Sequence, residues 1–287
     1  MQIILKNDYG KFVIGENGDA KLLNIDGLGI PQKETQTVTY SGQAGQTTLS
    51  SRDMPRAITI TADFNASPDA ILKLYRIIYN SVDIIILSGN IRRKTTGVCL
   101  DPSDVESIIY HKMYKAVLQF ICDDPYFHDI TETRFDINRR ADKLPNLYEN
   151  GSYYISLPAV ATERTNAAGI HNSGAVNVYP VIEIYNNTSA AVSSATTGLV
   201  ISNSAIAMTI TINRDMKPSE KITIDLPSRK IISSIDGSII NYISDDTVLS
   251  SFYLAPGNNY ITVQNKNSKQ DTATIVRFNN NYEAAVI

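Results

Sequence analysis

The sequence contains no tryptophan, and its 287 residues include only two cysteines and three histidines. Cys99 and Cys122 fall on separate predicted strands and form no Cys-x-x-Cys pair, so neither a zinc site nor a redox motif is indicated. A disulfide between them stays open, although two buried thiols fit better because cysteine is often a small core hydrophobe. The residue types that most often carry metal or redox chemistry are therefore scarce.

Clustered positive charge is also scarce, since the net charge is −3 and the isoelectric point is about 5.7. This balance argues against a nucleic-acid-binding surface, and Arg92, Arg93 and Lys94 are more typical of a strand end or a subunit contact. The apolar stretch Met1–Leu5 is too short for a secretory signal. The uncharged segment after Glu183 is too rich in Ser, Thr and Asn to span a bilayer. We expect a soluble protein made in a cytoplasm, without membrane insertion.

Motifs of known catalytic sites are missing: the sequence has no nucleophile elbow, no Walker loop and no dinucleotide fingerprint. Asp123, Asp124 and His128 lie close together and could in principle hold a metal ion. A turn with solvated acids is the favoured interpretation, because no second histidine stands at ligand spacing. Nothing selects a carboxylate pair for hydrolysis either. The sequence predicts no catalytic residue, no metal and no cofactor, and hence a protein that is not an enzyme.

One segment divides the chain. The apolar run from Lys115 to Cys122 ends at Asp123-Asp124-Pro125, where proline lacks the N–H that a sheet requires. Charge becomes sparse further on, since Glu183 is the only charged residue between Arg164 and Arg214. These features predict an N-terminal domain at 1–135, a linker at 136–150 and a second domain at 151–287.

The first domain reads as short strands with one helix. Asn17-Gly18 is typical of a hairpin turn, and Ala57–Phe64 alternates between apolar and polar residues as a half-buried strand does. Ser67, Pro68 and Asp69 form a helix start, which predicts a helix over about 68–80. We expect a β-sandwich-like domain.

Within it, residues 32–52 form a polar stretch with almost no large apolar side chain. Its centre, Tyr40–Gln46, is rich in Gly, Gln and Ser and predicts the tip of an extended hairpin. Such a segment either projects into solvent or packs on a partner. We call it the arm.

The second half consists of short predicted strands between turns, at a spacing typical of a β-sandwich. Asp236-Gly237 predicts a hairpin, and Ile239–Tyr242 and Val248–Leu254 are among the predicted strands. A sandwich with exposed tyrosines could also bind host cell-wall glycans, so a carbohydrate-binding module is the alternative function. Tyr185 and Tyr253 alternate with apolar residues and are better explained as core or interface side chains.

Several weak motifs follow one another in a recognisable order. The arm precedes Arg56 and its alternating strand, and the helix is followed by Gly89-Asn90-Ile91-Arg92 and by the acid-proline-aromatic stop at 123–127. The second half adds Ile224-Asp225, the Asp236-Gly237 hairpin and the segment Phe252–Asn259. In this order the motifs resemble the distal tail protein family of siphophage-type tails, and the likeness covers nearly the whole chain.

The resemblance implies a mainly β fold: an N-terminal β-sandwich-like domain with one helix and an arm hairpin, plus a C-terminal galectin-like β-sandwich. It implies a virion structural protein of the tail and baseplate hub, assembled in the host bacterial cytoplasm, from a phage or a prophage. A hexameric ring would join the tail tube protein to tail-tip and receptor-binding proteins. The arm residues that would form the subunit interface are Tyr40, Gly42, Gln43, Gly45 and Gln46.

Overall fold

The structure is a computed structural model that describes residues 1–42, 44–64, 68–102, 106–108, 113–137, 164–191, 197–267 and 269–285. The chain divides into two compact units, the first made of Met1–Ile130 with Asn281–Ile287 and the second of Thr131–Asn280. In this division the first unit ends at Ile130, the strand at Thr133–Ile137 belongs to the second unit, and the last residues of the chain return to the first unit. The predicted linker at 136–150 falls outside the described residues beyond Ile137.

The elements up to residue 137 are β1 Gln2–Asn7, β2 Gly10–Ile14, β3 Lys21–Asp26, β4 Lys33–Val38, β5 Thr47–Asp53, β6 Arg56–Asp63, α1 Pro68–Ile78, β7 Val82–Ser88, β8 Ile91–Pro102, β9 Glu106–Ile108, β10 Met113–Cys122, β11 Phe127–His128 and β12 Thr133–Ile137. The remaining strands are β13 Arg164–Asn172, β14 Val181–Asn186, β15 Leu199–Asn203, β16 Met208–Ile212, β17 Lys221–Asp225, β18 Lys230–Ser233, β19 Gly237–Ser238, β20 Gly257–Asn265, β21 Thr272–Phe278 and β22 Asn281–Tyr282. The predicted mainly β fold class is confirmed.

The first unit is built on an antiparallel sheet with the strand order β2-β1-β7-β8-β10-β6-β3. The long strand β8 pairs with β7 up to Gly97 and with β10 from Val98 onward, so it connects the two halves of the sheet. At this crossing a Cβ on Gly97 would lie 2.8 Å from Cys122 Sγ, which explains the glycine. Side chains of both halves, such as Leu5 and Phe120, share one core. Because its two halves pack on this shared core, the first unit has the predicted sandwich-like arrangement.

The helix α1 covers that core with one face. Leu74 and Ile77 are buried, and burying such a side chain contributes roughly 1.5–3 kcal/mol. The sequence predicts a wider apolar face, but Leu72, Tyr75 and Tyr79 are 59%, 40% and 86% exposed. At 100° per residue these three side chains project away from the sheet.

The second unit is a β-sandwich of a six-stranded sheet, β12-β21-β14-β17-β18-β19, and a four-stranded sheet, β13-β20-β15-β16. Alternate residues of both sheets enter one core, for example Ile184 and Ile222 from the first and Ile201 and Ile261 from the second. This confirms the predicted sandwich. Among the described residues of the chain, no helix combines the length and apolar composition needed to cross a membrane.

Two predicted strands of the second unit are wrong, because Ile240–Tyr242 and Leu249–Ser251 form 3₁₀ turns. Ile240, Tyr242 and Val248 are 42%, 48% and 55% exposed, so no alternating buried face exists there to favour a strand. Each segment instead has a single buried apolar side chain beside the turn, since Ile239 and Phe252 are each 1% exposed.

The predicted Asn17-Gly18 hairpin is also wrong. The segment makes a turn, in which the N–H groups of Asp19 and Ala20 both donate to Val13 O. The strands on either side of this turn do not pair with each other, since β2 pairs with β1 and β3 pairs with β6. By contrast, Asp236-Gly237 does form the predicted hairpin, in which Ser233 pairs with Gly237.

The antiparallel pair β11–β22 allows a test of the two-unit division. His128 lies opposite Asn281, so the chain leaves and re-enters the first unit at neighbouring positions. Replacing residues 131–280 by a ~4-residue Gly-Ser linker should therefore leave a first unit that folds by itself. We expect a single cooperative urea transition with native-like circular dichroism. A collapsed product without such a transition would show that the first unit depends on the second.

Candidate functional site: the arm hairpin and its base

The arm is a two-stranded hairpin separate from the main sheet. In the part of the chain that the structure describes, β4 and β5 pair only with each other, from Lys33 opposite Asp53 to Val38 opposite Thr47. The register shifts once because Leu49 is an extra residue, which makes a β-bulge. Each strand therefore presents an outer edge of backbone N–H and C=O groups.

Almost no residue of the arm is buried, since both strands are exposed along nearly their whole length. The contacts across the hairpin are those of surface groups. Glu34 and Arg52 form an ion pair of 2.6 Å, and Ser50 Oγ donates to Gln36 Oε1 over 3.2 Å. Exposed pairs of this kind contribute only about 0.2–1 kcal/mol each, and an isolated two-stranded hairpin is marginally stable at best. The order of the arm must depend on its base or on a partner.

At the base, one hydrogen bond connects the two ends of the hairpin and another joins the hairpin to the turn after β10. Met54 N–H donates to Gln32 O over 2.8 Å, and the Tyr126 hydroxyl donates to Asp53 Oδ2. Burial, together with the hydrogen bond to Asp53 and the negative charge of that carboxylate, raises the pKa of Tyr126. The phenol is thus kept neutral and acts as a donor to the base of the arm.

Arg56, the first residue of β6, is the main connection at this base. Arg56 is 4% exposed, and its guanidinium donates to four backbone oxygens: Pro125 O at 2.7 Å, Gly27 O at 2.6 Å, Gly29 O at 2.5 Å and Glu283 O at 2.6 Å. It also lies 4.3 Å from the centroid of the Phe127 ring. Burial lowers the pKa of Arg56, but arginine stays protonated in proteins. Carbonyl dipoles therefore solvate a buried positive charge.

The loop that begins the arm passes close to β6. Gly27 has φ +91°, and a Cβ at this position would lie 2.0 Å from Ala57 O. Only glycine allows both this conformation and this approach. The approach brings the carbonyl of Gly27 within reach of the neighbouring guanidinium of Arg56.

The acid-proline stop is a turn beside this base. Asp124 Oδ1 accepts from Tyr126 N–H at 2.9 Å, and Asp124 Oδ2 lies 3.1 Å from His128 Nε2. The other ring nitrogen, Nδ1, is 2.8 Å from Asn281 Oδ1. Burial opposes the charge of both groups, but their mutual hydrogen bond and attraction outweigh it, so the pKa of Asp124 is lowered and that of His128 is raised.

Residues 173–282 match the family model described as the siphovirus-type tail component, C-terminal domain. This stretch is therefore similar to the C-terminal domain of siphovirus-type tail components. The family resemblance predicted from the motif order is confirmed over this stretch. No curated protein matches the sequence.

Among solved structures, the Dit protein of phage SPP1 matches with a TM-score of 0.64 and 13% identity, over 97% of this chain and 98% of that chain. That protein is described as a paradigm of the hub adsorption apparatus in phages that infect Gram-positive bacteria. This match shows that the two chains share a fold along their length. Two structures of the phage P2 baseplate in its activated conformation, with Ca and with Sr, match at 10% identity with TM-scores of 0.46 and 0.45, over 96% of this chain and 97% of the matched chain.

The predicted arm residues lie together at the hairpin tip. Tyr40 is 56% exposed, Gly42 and Gly45 turn the chain with φ +83° and +90°, and Gln46 precedes β5. Gln43 lies outside the described residues. The interface role of these residues stays a prediction.

The base of the arm was not predicted from the sequence. Arg56 was noted only as one member of a motif, because its acceptors come from loops far away along the chain. A signal was nevertheless present: an arginine occupies a position in phase with the buried residues Ile58 and Ile60 of its strand. A buried charge at this position requires hydrogen-bond partners, and the neighbouring sequence does not indicate which residues they are.

Asp123, Asp124 and His128 lie near one another, as expected of a turn, and Asp123 is exposed. Within the described residues, no cluster of three or more His, Cys, Asp or Glu side chains has the geometry of a metal site. Cys99 and Cys122 do not form a disulfide with each other. His111 lies outside the described residues.

Tyrosines relevant to the glycan-binding alternative are spread over the second unit. Tyr179, Tyr242 and Tyr260 are 42%, 48% and 50% exposed, whereas Tyr185 and Tyr253 are half-buried. Tyr185 donates to Glu183 Oε2 over 2.9 Å, and Tyr253 packs edge-on against Tyr179. The half-buried pair agrees with the expected core or interface role, and glycan binding stays a prediction.

The pair Asp124–His128 should make stability depend on pH. Because the folded pKa of His128 is raised, its contribution is complete below the unfolded value of about 6.5 and is lost as the pH rises through the folded value. The lowered pKa of Asp124 makes its contribution complete above about pH 4 and lost at lower pH. The window of full stabilisation therefore lies between about pH 4 and 6.5.

Accordingly, His128→Gln should destabilise the chain by about 0.5–1 kcal/mol at pH 5.5, and by less at pH 8, since Asp124 is half exposed and partly screened. Urea unfolding at both pH values measures the difference. His171→Gln, at an exposed histidine of the second unit, is the matched control. An equal loss at both pH values would contradict the ionic character of the pair.

Proposed function

We propose that this protein is a non-enzymatic structural subunit that forms a hexameric ring through its arm. The ring joins the tail tube to the tail tip and to the host-adsorption apparatus. The observation that carries the proposal is the hairpin of β4 and β5, which has exposed faces and pairs with no other described strand. The hub role described for SPP1 Dit, whose fold this chain shares, agrees with it.

Hydrogen bonding gives the physical reason for assembly through the arm. An open strand edge is a template on which another chain can add a strand, with backbone groups supplying the affinity. The side chains of the arm suit such a contact because they are short and mostly uncharged: Thr35, Thr37, Thr47, Thr48 and Ser50. The exposed side chains of Tyr40 and Leu49 can add apolar burial at the contact.

Ring closure follows from the kind of contact. An arm that docks on a different surface of the next subunit makes a head-to-tail contact, and such contacts produce a closed ring when the rotation between subunits divides a full turn. One contact per subunit is then sufficient for the whole assembly. The neighbours of the ring, the tail tube protein and the tail-tip or receptor-binding proteins, are the partners expected of a hub.

Deleting the arm tests the proposal. Replacing Glu34–Arg52 by two glycines keeps Lys33 and Asp53, together with the Met54–Gln32 hydrogen bond, and removes both open strands. We expect rings of the wild type and monomers of the variant in mass measurement by light scattering and in negative-stain electron microscopy. The first unit should stay folded, because the arm contributes no residue to its buried core.

A point variant in the arm refines the test. Leu49→Ser keeps the hairpin and should raise the protein concentration needed for half-assembly by about tenfold, as expected for the loss of ~1.5 kcal/mol of apolar burial. Ile232→Ser, at a side chain of the second unit that is 43% exposed, is the matched control and should assemble like the wild type. Rings formed equally well without the arm would contradict the proposal.

A further inference from the structure

The last described residues, 281–285, are an integral part of the first unit, and we call them the carboxyl-terminal strap. The strap begins as β22, which pairs with β11 through Phe127 opposite Tyr282 and His128 opposite Asn281. Ala285 is 1% exposed and belongs to the core of the first unit. The strap thus completes a unit whose other residues end at Ile130, ahead of the whole second unit, Thr131–Asn280.

Side chains fix the strap in its place. The guanidinium of Arg93 lies 3.4 Å from the centroid of the Tyr282 ring, and Arg93 is itself paired with Asp129 at 3.1 Å. The hydroxyl of Tyr282 donates to Asp129 Oδ2 over 3.4 Å. A cation over an aromatic face contributes about 0.5–2 kcal/mol, depending on how far it is desolvated.

The strap also holds the loop from which the arm begins. Ala285 N–H donates to Leu28 O over 3.0 Å, and Glu283 O accepts from Arg56 Nη2 over 2.6 Å. The same guanidinium binds the carbonyls on both sides of Leu28, those of Gly27 and Gly29. Three successive carbonyls ahead of β4 are therefore bound by the strap or by the arginine that the strap contacts.

We propose that the strap and Arg56 form a latch that positions the arm for assembly, so that the final residues of the chain belong to the ring-forming machinery. Arg56 is the positioning residue. Because the hairpin has little burial of its own, its direction depends on the loop at 27–29 and on Asp53. Fixing this loop before association reduces the ordering cost of docking and so strengthens the subunit contact. This inference rests on the proposed function of the arm.

The latch is tested by removing residues 283–287 from the chain, which keeps β22 and removes the hydrogen bond of Ala285 to Leu28 and that of Glu283 to Arg56. We expect amide hydrogen exchange in residues 27–36 to become at least tenfold faster, while β7 and the paired part of β6 change little. The concentration needed for half-assembly should rise at least tenfold.

A second variant keeps the strap and changes the arginine. Arg56→Lys preserves the positive charge, but an ammonium group has three donors and cannot reproduce the planar fork that binds four carbonyls. It should speed exchange in the same loop. Arg134→Lys, at an arginine of the second unit that is 62% exposed, is the matched control and should change neither measurement.

The two measurements separate the latch from the ring. A wild-type chain that stays monomeric contradicts the proposed ring, while exchange at 27–36 in the monomer still reports on the latch. If both the truncated chain and Arg56→Lys exchange like the wild type in this loop, the latch is wrong even where rings form. Faster loop exchange with undiminished assembly also overturns it, because the strap would then be a structural closure only.

Discussion

The solvation of one buried guanidinium by backbone carbonyls is the constraint on which the first unit depends. Arg56 contacts the loop ahead of the arm, the proline turn after β10 and the carboxyl-terminal strap. Hydrogen bonds from a charged group contribute about 1.5–3 kcal/mol each, and an unpaired buried charge costs several kcal/mol. The three segments are therefore obliged to converge, because a missing acceptor would leave a donor unsatisfied in the interior. Because all four acceptors are backbone oxygens, the interaction fixes the positions of the backbone and does not depend on the side chains of the acceptor residues.

In the second unit, the buried charges that need partners are carboxylates. Glu220 is 1% exposed and accepts hydrogen bonds from Arg214, from Ser233 Oγ and from the N–H of Lys217. Glu183 is held by Lys221 at 2.9 Å and Arg277 at 3.0 Å. Burial alone would raise the pKa of Glu183, but the hydrogen bonds and charges of its partners outweigh burial, so the pKa is lowered. Glu220 and Glu183 thus find their partners within the second unit, as buried polar groups generally do.

Much of the fold could be predicted from local patterns. The structure confirms the alternating burial of Ile58, Ile60 and Ala62, and it confirms that β10 ends ahead of Pro125. Both features reflect rules that act over a few residues. The arm was predicted from an absence of apolar residues, and its hairpin shape is confirmed. The partners of Arg56 could not be predicted in this way, since Glu283 is 227 positions away. The 3₁₀ turn at Ile240–Tyr242 was missed because isolated apolar anchors resemble a strand when read as composition alone.

The polar character of the arm has a consequence for the pool of free subunits. A hairpin with open edges is a site where chains can aggregate, and edge strands that carry long apolar runs do so readily. Here the edges carry Thr, Ser and Gln, and the two strands hold only Val38 and Leu49 as large apolar residues. The backbone can thus bind in register while the side chains keep the hairpin hydrated. In the proposed ring, a free subunit can therefore avoid unspecific aggregation until the matching surface of another subunit binds its arm.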